Sequence, residues 1–383
     1  MPGLYIHIPF CRSRCAYCDF FSTTRESEAT AYVAALCREL EGRRAELPHA
    51  RVRSIYIGGG TPSVLPVPLL RQILDCAYAN YDVAADAEVT MEMNPDDIGP
   101  SLDFTEASGQ SAVNRVSLGI QTFDDALLRL IRRRHDSTTA IRAIQALQAQ
   151  GIRNISIDLI YGLPGQTLEQ WESDLDTAFS LGIQHLSAYA LSYEEGTLLT
   201  RWRDEGRIRE VSDELSVAMY NRLCQRAREA GFEHYEISNF ALPGYRSRHN
   251  SSYWTGEPYL GFGPGAHSYD GDRTRRANLP NLDDYVTYYS SPRGGREGAV
   301  PCSYETLTTT DLHNEAVMCG LRTREGIDLN RFLARFGQSR LDALLAAAAP
   351  HLHSGRLILD HSSLTLAESA LMISDDVMSD LMA

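Results

Sequence analysis

Three cysteines, Cys11, Cys15 and Cys18, follow directly on the apolar run Leu4-Tyr5-Ile6-His7-Ile8-Pro9-Phe10. Spaced three and then two residues apart, their sulfurs can turn toward one centre. They offer three thiolates where a tetrahedral zinc or a fully protein-ligated iron–sulfur cluster needs four. One metal position is left open. The residues alone permit a zinc knuckle completed by His7 or Cys37, a redox site, or a [4Fe-4S] cluster whose fourth iron binds a small molecule. The other cysteines, Cys37, Cys76, Cys224, Cys302 and Cys319, show no metal-ligand spacing and read as small buried apolar residues.

The rest of the chain alternates β-rich runs with amphipathic helical stretches. Strands are expected at 4–9, 52–57, 87–93, 114–120, 154–160 and 185–191, and helices at 28–46, 66–79, 125–131, 138–150 and 168–181. Such alternation implies a parallel sheet with helices outside it, and six units fit a partial (β/α)6 barrel. The segment 98–113 lacks a helical stripe and is expected to be short or irregular. In such barrels the chemistry sits at the C-terminal strand ends, and each of those ends carries a polar or Gly-rich signature. The cysteine loop follows the first strand and Gly58-Gly59-Gly60-Thr61 the second. Glu92 and Asn94 mark the third, Gln121 the fourth and Asp158 the fifth. Backbone without Cβ can approach a ligand closely, while Glu92, Gln121, Arg133 and Asp158 can pair with its amine, carboxylate or hydroxyls. Taken singly, a Gly-Gly-Gly-Thr-Pro run is more often a tight turn and a lone Glu at a strand end a solvated one.

Thirty-six Lys and Arg against 50 Asp and Glu give the 383-residue chain a net charge of -14. That disfavours non-specific binding to nucleic acid or an anionic membrane. The basic run Arg132-Arg133-Arg134-His135 reads as a solvated helix end, Arg133 excepted. With the first cysteine at position 11 there is no room for a signal peptide ahead of it, and no apolar run approaches about 18 residues. A cytoplasmic protein is expected.

The runs 4–11, Ile57-Gly-Gly-Gly-Thr-Pro62, Val116-Ser-Leu-Gly-Ile-Gln121 and 157–164 resemble the coproporphyrinogen dehydrogenase (HemN) superfamily of radical S-adenosylmethionine proteins. The resemblance covers nearly the whole chain. It implies a [4Fe-4S] cluster on Cys11, Cys15 and Cys18, its open iron chelating S-adenosylmethionine, whose reduction gives a 5'-deoxyadenosyl radical. It also implies cofactor contacts from Tyr5, Tyr17, Gly59, Gly60, Thr61, Glu92, Gln121, Arg133, Asp158 and, more weakly, Ala190. Two branches of the superfamily differ at residues present here. Oxygen-independent coproporphyrinogen III oxidases carry a further cysteine where this chain has Phe20, and a long N-terminal extension. The haem-chaperone branch has Phe there and a downstream His-Asn-x-x-Tyr-Trp, present as His249-Asn250-Ser251-Ser252-Tyr253-Trp254.

The resemblance therefore implies haem binding, with haem-accepting proteins such as membrane respiratory enzymes and an electron donor as partners. His249 is a candidate iron ligand and Tyr253 and Trp254 flat apolar walls, against the simpler reading of a structural histidine. If His249 is not the ligand, His267 is the next candidate. The Gly-rich run 260–267 is expected to loop back over the barrel mouth. The expected division places the barrel and the haem motif in 1–295 and a small winged-helix-like domain in 296–383. The latter contains helices at 327–336 and 339–348, a β pair at 357–359 and 364–366, and a final helix.

Overall fold

The computed structural model describes residues 2–47, 50–99, 112–291 and 301–383. Six parallel strands stand side by side in sequence order: β1 (Gly3–Ile8), β2 (Val52–Gly59), β3 (Val83–Met93), β4 (Arg115–Gln121), β5 (Ile155–Tyr161) and β6 (His185–Ala190). Around them run α1 (Ala29–Gly42), α2 (Val67–Asn80), α3 (Asp125–Leu130), α4 (Ser137–Ala149) and α5 (Leu168–Ser180). The expected strands and crossover helices are present with ends shifted by a few residues. Of the segment 98–113, residues 100–111 lie outside the described residues. No helix among the described residues is long and apolar enough to cross a membrane.

The helices start where their sequences cap them. Asp124 and Asp136 accept from the first-turn amides of α3 and α4, and Thr167 with Gln170 forms a reciprocal capping box at α5. Alternation within the strands then divides the two faces of the sheet. Leu4, Ile6 and Ile8 of β1, with Ile55 and Ile57 of β2 and Val89, Met91 and Met93 of β3, pack against the helices. The opposite set faces inward and is polar or aromatic: Tyr5 and His7, Ser54 and Tyr56, Glu88, Thr90 and Glu92, Arg115 and Ser117, Asp158, His185 and Ser187. In register, Tyr5 lies beside Tyr56, Tyr56 beside Thr90, Thr90 beside Arg115, and Gly119 beside Asp158. A closed barrel usually fills its interior with branched apolar side chains. This open sheet keeps a polar concave face.

The sheet is not closed and extends at both edges. After α6 (Leu198–Asp204) and α7 (Asp213–Glu229) come β7 (Glu233–Glu236) and β8 (Asn239–Ala241); β8 pairs antiparallel with β6, and β7 antiparallel with β8. Helix α8 (Arg248–Trp254) precedes β9 (Tyr259–Phe262), which pairs parallel with β1, and β10 (His267–Tyr269) and β11 (Thr274–Asn278) continue that edge. The Gly-rich run 260–267 is thus strand, tight turn and strand rather than a loop over the mouth. Helix α9 (Leu282–Ser290) covers α1, and β12 (Cys302–Thr306) is the outermost strand.

A buried ion-pair network fastens this edge to α1. Fully buried Glu39 accepts from Arg43 (3.0 Å), Arg276 (3.3 Å), Asn278 (2.9 Å), Tyr285 (2.6 Å) and the amide of Gly263 (2.9 Å). The carboxylate is compensated by two guanidiniums and three neutral donors, as a buried charge requires.

The C-terminal part has its own core of Val317, Leu321, Phe332, Leu344, Val377 and Leu381. It comprises α10 (Thr309–Arg322), β13 (Ile327–Asp328), α11 (Leu329–Phe336), α12 (Gln338–His353), β14 (Leu357–Asp360), β15 (Ser363–Leu366) and α13 (Ser374–Leu381), with the small sheet ordered β13-β15-β14. Residues 327–328, expected as the start of a helix, pair with β15 instead. Helix α12 runs past 348 through Pro350 to His353. The expected division at 295/296 lies outside the described residues. Arg322 meets the buried Glu236 at 2.8 Å, and Arg246 meets Glu325 at 2.7 Å, across the junction.

Candidate cofactor site

The loop carrying Cys11, Cys15 and Cys18 leaves the C-terminal end of β1 and is tied down by backbone bonds. Cys11 N–H reaches Thr23 O (2.9 Å), Ala16 N–H reaches Ile131 O (3.0 Å), and Ala16 O accepts from Leu199 N–H (2.8 Å). The glycine run sits against it. Gly60 and Thr61 donate to the carbonyls of Ile8 and Phe10 (2.8 Å each). A Cβ on Gly60 would lie 2.8 Å from Ile8 O, and one on Gly59, at φ 105°, only 2.4 Å from the His7 ring. Neither position admits a side chain.

The three thiols are half-buried. Burial pushes the Cys18 thiol up to about 11, and Cys11 rises for the same reason. Thr61 Oγ1 stands 3.4 Å from Cys11 Sγ, and Arg133 Nη1 donates to Cys15 Sγ at 3.3 Å. Arg133 also holds Asn94 Oδ1 at 2.6 Å and the Gly119 carbonyl. Tyr17 is wedged among Leu127, Ile131, Ile160 and Leu163. The alternative zinc ligands are occupied elsewhere. His7 accepts from Tyr5 (3.1 Å) and donates to Phe21 O (2.9 Å), and Cys37 on α1 lies beside Cys76 of α2. Among the described residues no three Cys, His, Asp or Glu side chains converge on a single-ion position. A four-iron cluster makes no such demand, since each thiolate binds a different iron. Of the five remaining cysteines only Cys224 is buried; the expectation of five buried thiols was too broad, because Cys37, Cys76 and Cys319 occupy partly exposed helix positions and Cys302 the outermost strand.

Below the loop the strand ends bring the sequence-predicted acids together. Glu92 accepts from Tyr56 OH (2.7 Å) and Gly59 N–H (3.1 Å), and Ser117 donates to Asp158 (3.2 Å). Burial and mutual repulsion push Glu92 up to about 7, against the pull of Tyr56, Gly59 and Arg115. Asp158 rises to about 6, mainly from burial, against Ser187, Arg115 and Ser117. Gln121 sits at a bulge ending β4 with φ 72°, a left-handed backbone costing an L-residue about 1–2 kcal/mol. Its amide lies over Gly119. Tyr5 stands inside the barrel, whereas Ala190 is exposed at the end of β6. In the basic run only part is solvated: Arg133 turns inward, Arg134 pairs with Asp96 (2.6 Å), and His135 is buried against Ile120 O.

Sequence reasoning missed Arg115, Tyr56, Ser117 and Ser187. Arg115 is 1% exposed, its Nε has no partner among the described residues, and it is the cation shared by Glu92 and Asp158.

The His249 hexapeptide lies at the other end of the barrel. Its helix α8 is anchored by Glu88, which accepts from the amides of Arg248 (3.0 Å) and His249 (3.1 Å). His249 is 1% exposed, with Nδ1 bonded to Ser54 Oγ (2.9 Å) and Nε2 to Tyr253 OH (2.8 Å). Burial, assisted by Arg115, lowers its pKa to about 3, so the ring is neutral. Binding iron would require one of those two bonds to break. The ring stacks on Tyr56 (5.1 Å) and Tyr5 (6.4 Å), which stack on each other (6.1 Å), so three aromatic rings cluster on the inward face of β1 and β2. His267 is exposed on β10.

Residues 5–178 match the Radical SAM superfamily, and residues 307–373 match the HemN C-terminal domain. The chain is 34% identical over 380 residues to heme chaperone HemW of Bacillus subtilis, covering 98% of each. It is 35% identical over 344 residues to heme chaperone HemW of Escherichia coli, covering 88% of this chain and 86% of that one. The solved coproporphyrinogen III oxidase HemN of Escherichia coli superposes with a TM-score of 0.83 at 23% identity, covering 100% of this chain and 90% of that one, which shows the fold. Membership of the superfamily implies a [4Fe-4S] cluster and S-adenosylmethionine, which together supply one-electron chemistry. With relatives of this identity matched from end to end, the chain belongs to the HemW family of radical S-adenosylmethionine proteins.

Proposed function

We propose that this protein is a haem chaperone of the cytoplasm, binding haem and passing it to acceptor proteins such as membrane respiratory enzymes. Cys11, Cys15 and Cys18 hold the [4Fe-4S] cluster, which an electron-donor protein reduces. S-adenosylmethionine lies beside it: Gly59, Gly60 and Thr61 meet the methionine end and Glu92 the amine. Gln121, Arg133 and Asp158 meet the carboxylate and ribose, with Tyr5, Tyr17 and Ala190 completing the walls. Two relatives matched nearly end to end are named heme chaperones.

The observation that carries the reading is the placement of the hexapeptide. Its aromatics line a groove at the barrel end remote from the cysteines, a place for a second ligand rather than for the substrate of the cofactor. Phe20, where the oxidase branch has a cysteine, is 64% exposed beside the cluster loop. The test is anaerobic reconstitution of the cluster followed by two assays, hemin titration by Soret absorbance and coproporphyrinogen III decarboxylation. Saturable hemin binding without decarboxylation is expected. Protoporphyrinogen formation above a cluster-free control, or no saturable binding, overturns the reading.

A further inference from the structure

Cys37 and Cys76 belong to neither the cluster loop nor the hexapeptide, and they share one space between α1 and α2, which pack against each other. Each thiol reaches the backbone of the opposite helix. Cys76 Sγ donates to Cys37 O at 3.4 Å, and Cys37 Sγ lies 3.9 Å from Gln72 O, about one turn before Cys76 on α2. The two thiols also hydrogen-bond to each other. Both are partly exposed, whereas Leu36, Leu40, Ile73 and Ala77 beside them are buried, so the pair stands at the solvent edge of the seam between the helices.

Their chemistry divides this pair from the cysteines elsewhere. Burial pushes Cys224 and Cys319 up to about 11, which keeps both protonated and unreactive. Cys76 moves the other way. The bond from the Cys37 thiol is the main cause that lowers it from the usual thiol value, with help from Asn80, whose Nδ2 donates to Cys76 Sγ at 3.6 Å, against burial and the charge of Glu41. Cys37 is raised by the same bond and by burial, so it keeps its proton. A partly exposed cysteine that forms its thiolate more readily, with a second thiol in contact, is the arrangement of an attacking cysteine and its resolving partner.

We propose that Cys37 and Cys76 form a reversible disulfide between α1 and α2, with Cys76 as the attacking thiol and Cys37 as the resolving one. The oxidant is a low-molecular-weight disulfide, represented by oxidised glutathione. The Cys76 thiolate attacks one of its sulfurs, forming a mixed disulfide and releasing one thiolate. Cys37 then loses its proton and displaces the second thiolate, which closes the Cys37–Cys76 bond. The chain gives up two protons and two electrons, and the oxidant becomes two thiols; an excess of thiol reverses both steps. The bridge closes a loop that contains β2 and Gly58-Gly59-Gly60-Thr61, so oxidation ties together the two helices that flank the glycine run in sequence. Cys11, Cys15 and Cys18 lie outside that loop.

The experiment exposes the full chain with its reconstituted cluster, held anaerobic, to oxidised glutathione, then alkylates the free thiols and maps the peptides by mass spectrometry without reduction. The wild type is expected to yield two peptides joined through Cys37 and Cys76, separable by a dithiol reductant, with its iron–sulfur absorbance retained. Cys37→Ser is expected to stop at a mixed disulfide of glutathione on Cys76. In Cys76→Ser, glutathione is expected to add to Cys37 about tenfold more slowly or less, as a protonated thiol implies, with circular dichroism unchanged in both variants. No joined peptide from the folded wild type, or one that forms only in urea, overturns the disulfide. Addition to Cys37 in Cys76→Ser as fast as addition to Cys76 in Cys37→Ser overturns the order of attack.

Discussion

Glu92 offers the sharpest test of the cofactor site. Glu92→Gln is isosteric and keeps both local contacts, its amide oxygen toward Gly59 N–H and its NH2 toward the Tyr56 oxygen, while removing the charge. A carboxylate bonded to a ligand ammonium contributes about 1.5–3 kcal/mol, so S-adenosylmethionine affinity at pH 8 should fall about 10- to 150-fold. The pH profile is a second signature. With its pKa near 7, Glu92 is about nine-tenths ionised at pH 8 and about one-tenth at pH 6, which weakens wild-type binding about tenfold over that span. The glutamine variant should lose most of that slope, retaining the part due to Asp158. Stability must move the opposite way. A carboxyl raised from 4.5 to about 7 contributes stability that is present below pH 4.5 and lost as pH rises through 7. The gap corresponds to about 3 kcal/mol. Without ligand, Glu92→Gln should therefore unfold at higher urea than the wild type at pH 8, and the advantage should vanish near pH 4.5. Anaerobic calorimetric titration and urea midpoints measure both. Equal affinity of the two proteins at pH 8, or pH-independent wild-type binding, refutes the assignment of Glu92 to the amine.

Cys15→Ala should abolish the cluster, leaving anaerobically reconstituted protein without the about four irons and four sulfides of the wild type; stoichiometric zinc with no sulfide in the wild type would remove the basis of the site. Glu39→Ala strands Arg43 and Arg276 in the core, and breaking such a buried pair costs about 3–5 kcal/mol. A loss below 1 kcal/mol in urea unfolding would show that the network is solvated in solution. His249→Phe keeps the ring stack but leaves Ser54 and Tyr253 unpaired, a loss of about 2 kcal/mol or more. A loss below 1 kcal/mol in urea unfolding would show that Ser54 and Tyr253 find other partners.

The strands, the crossover helices and the residues at the strand ends were legible because each is a local pattern: a β-branched run, a caps-and-stripe helix, a polar residue where the apolar run stops. The inward set was equally present in the sequence. Ser54-x-Tyr56-x-Gly58, Glu88-x-Thr90-x-Glu92 and Arg115-x-Ser117-x-Gly119 alternate with period two, whereas strands buried on both faces usually read as continuous apolar runs. Attention to strand ends alone passed over Arg115, Tyr56 and Ser117. Strand β9 was hidden for a different reason. Tyr259-Leu-Gly-Phe262 is short and glycine-containing, and its pairing with β1 joins residues some 250 positions apart, which no local propensity encodes. The role of His249 was beyond local reading as well: Tyr253 is its i+4 neighbour on α8, but Ser54 and the burial of the ring come from tertiary packing. The hexapeptide shows which residues matter, and only the fold shows that they stand at the far end from the cysteines.

That separation has a chemical consequence through the aromatic cluster. Strand β1 is six residues long, about 20 Å, with the cysteine loop beyond Ile8 and His249 against Gly3. Tyr5, Tyr56 and His249 stand on the inward face between these two ends and separate them. A porphyrin seated by α8, as the proposed function has it, would be separated from the cysteines by these three rings. On the proposed function, the one-electron chemistry of one end would be kept apart from the haem iron at the other.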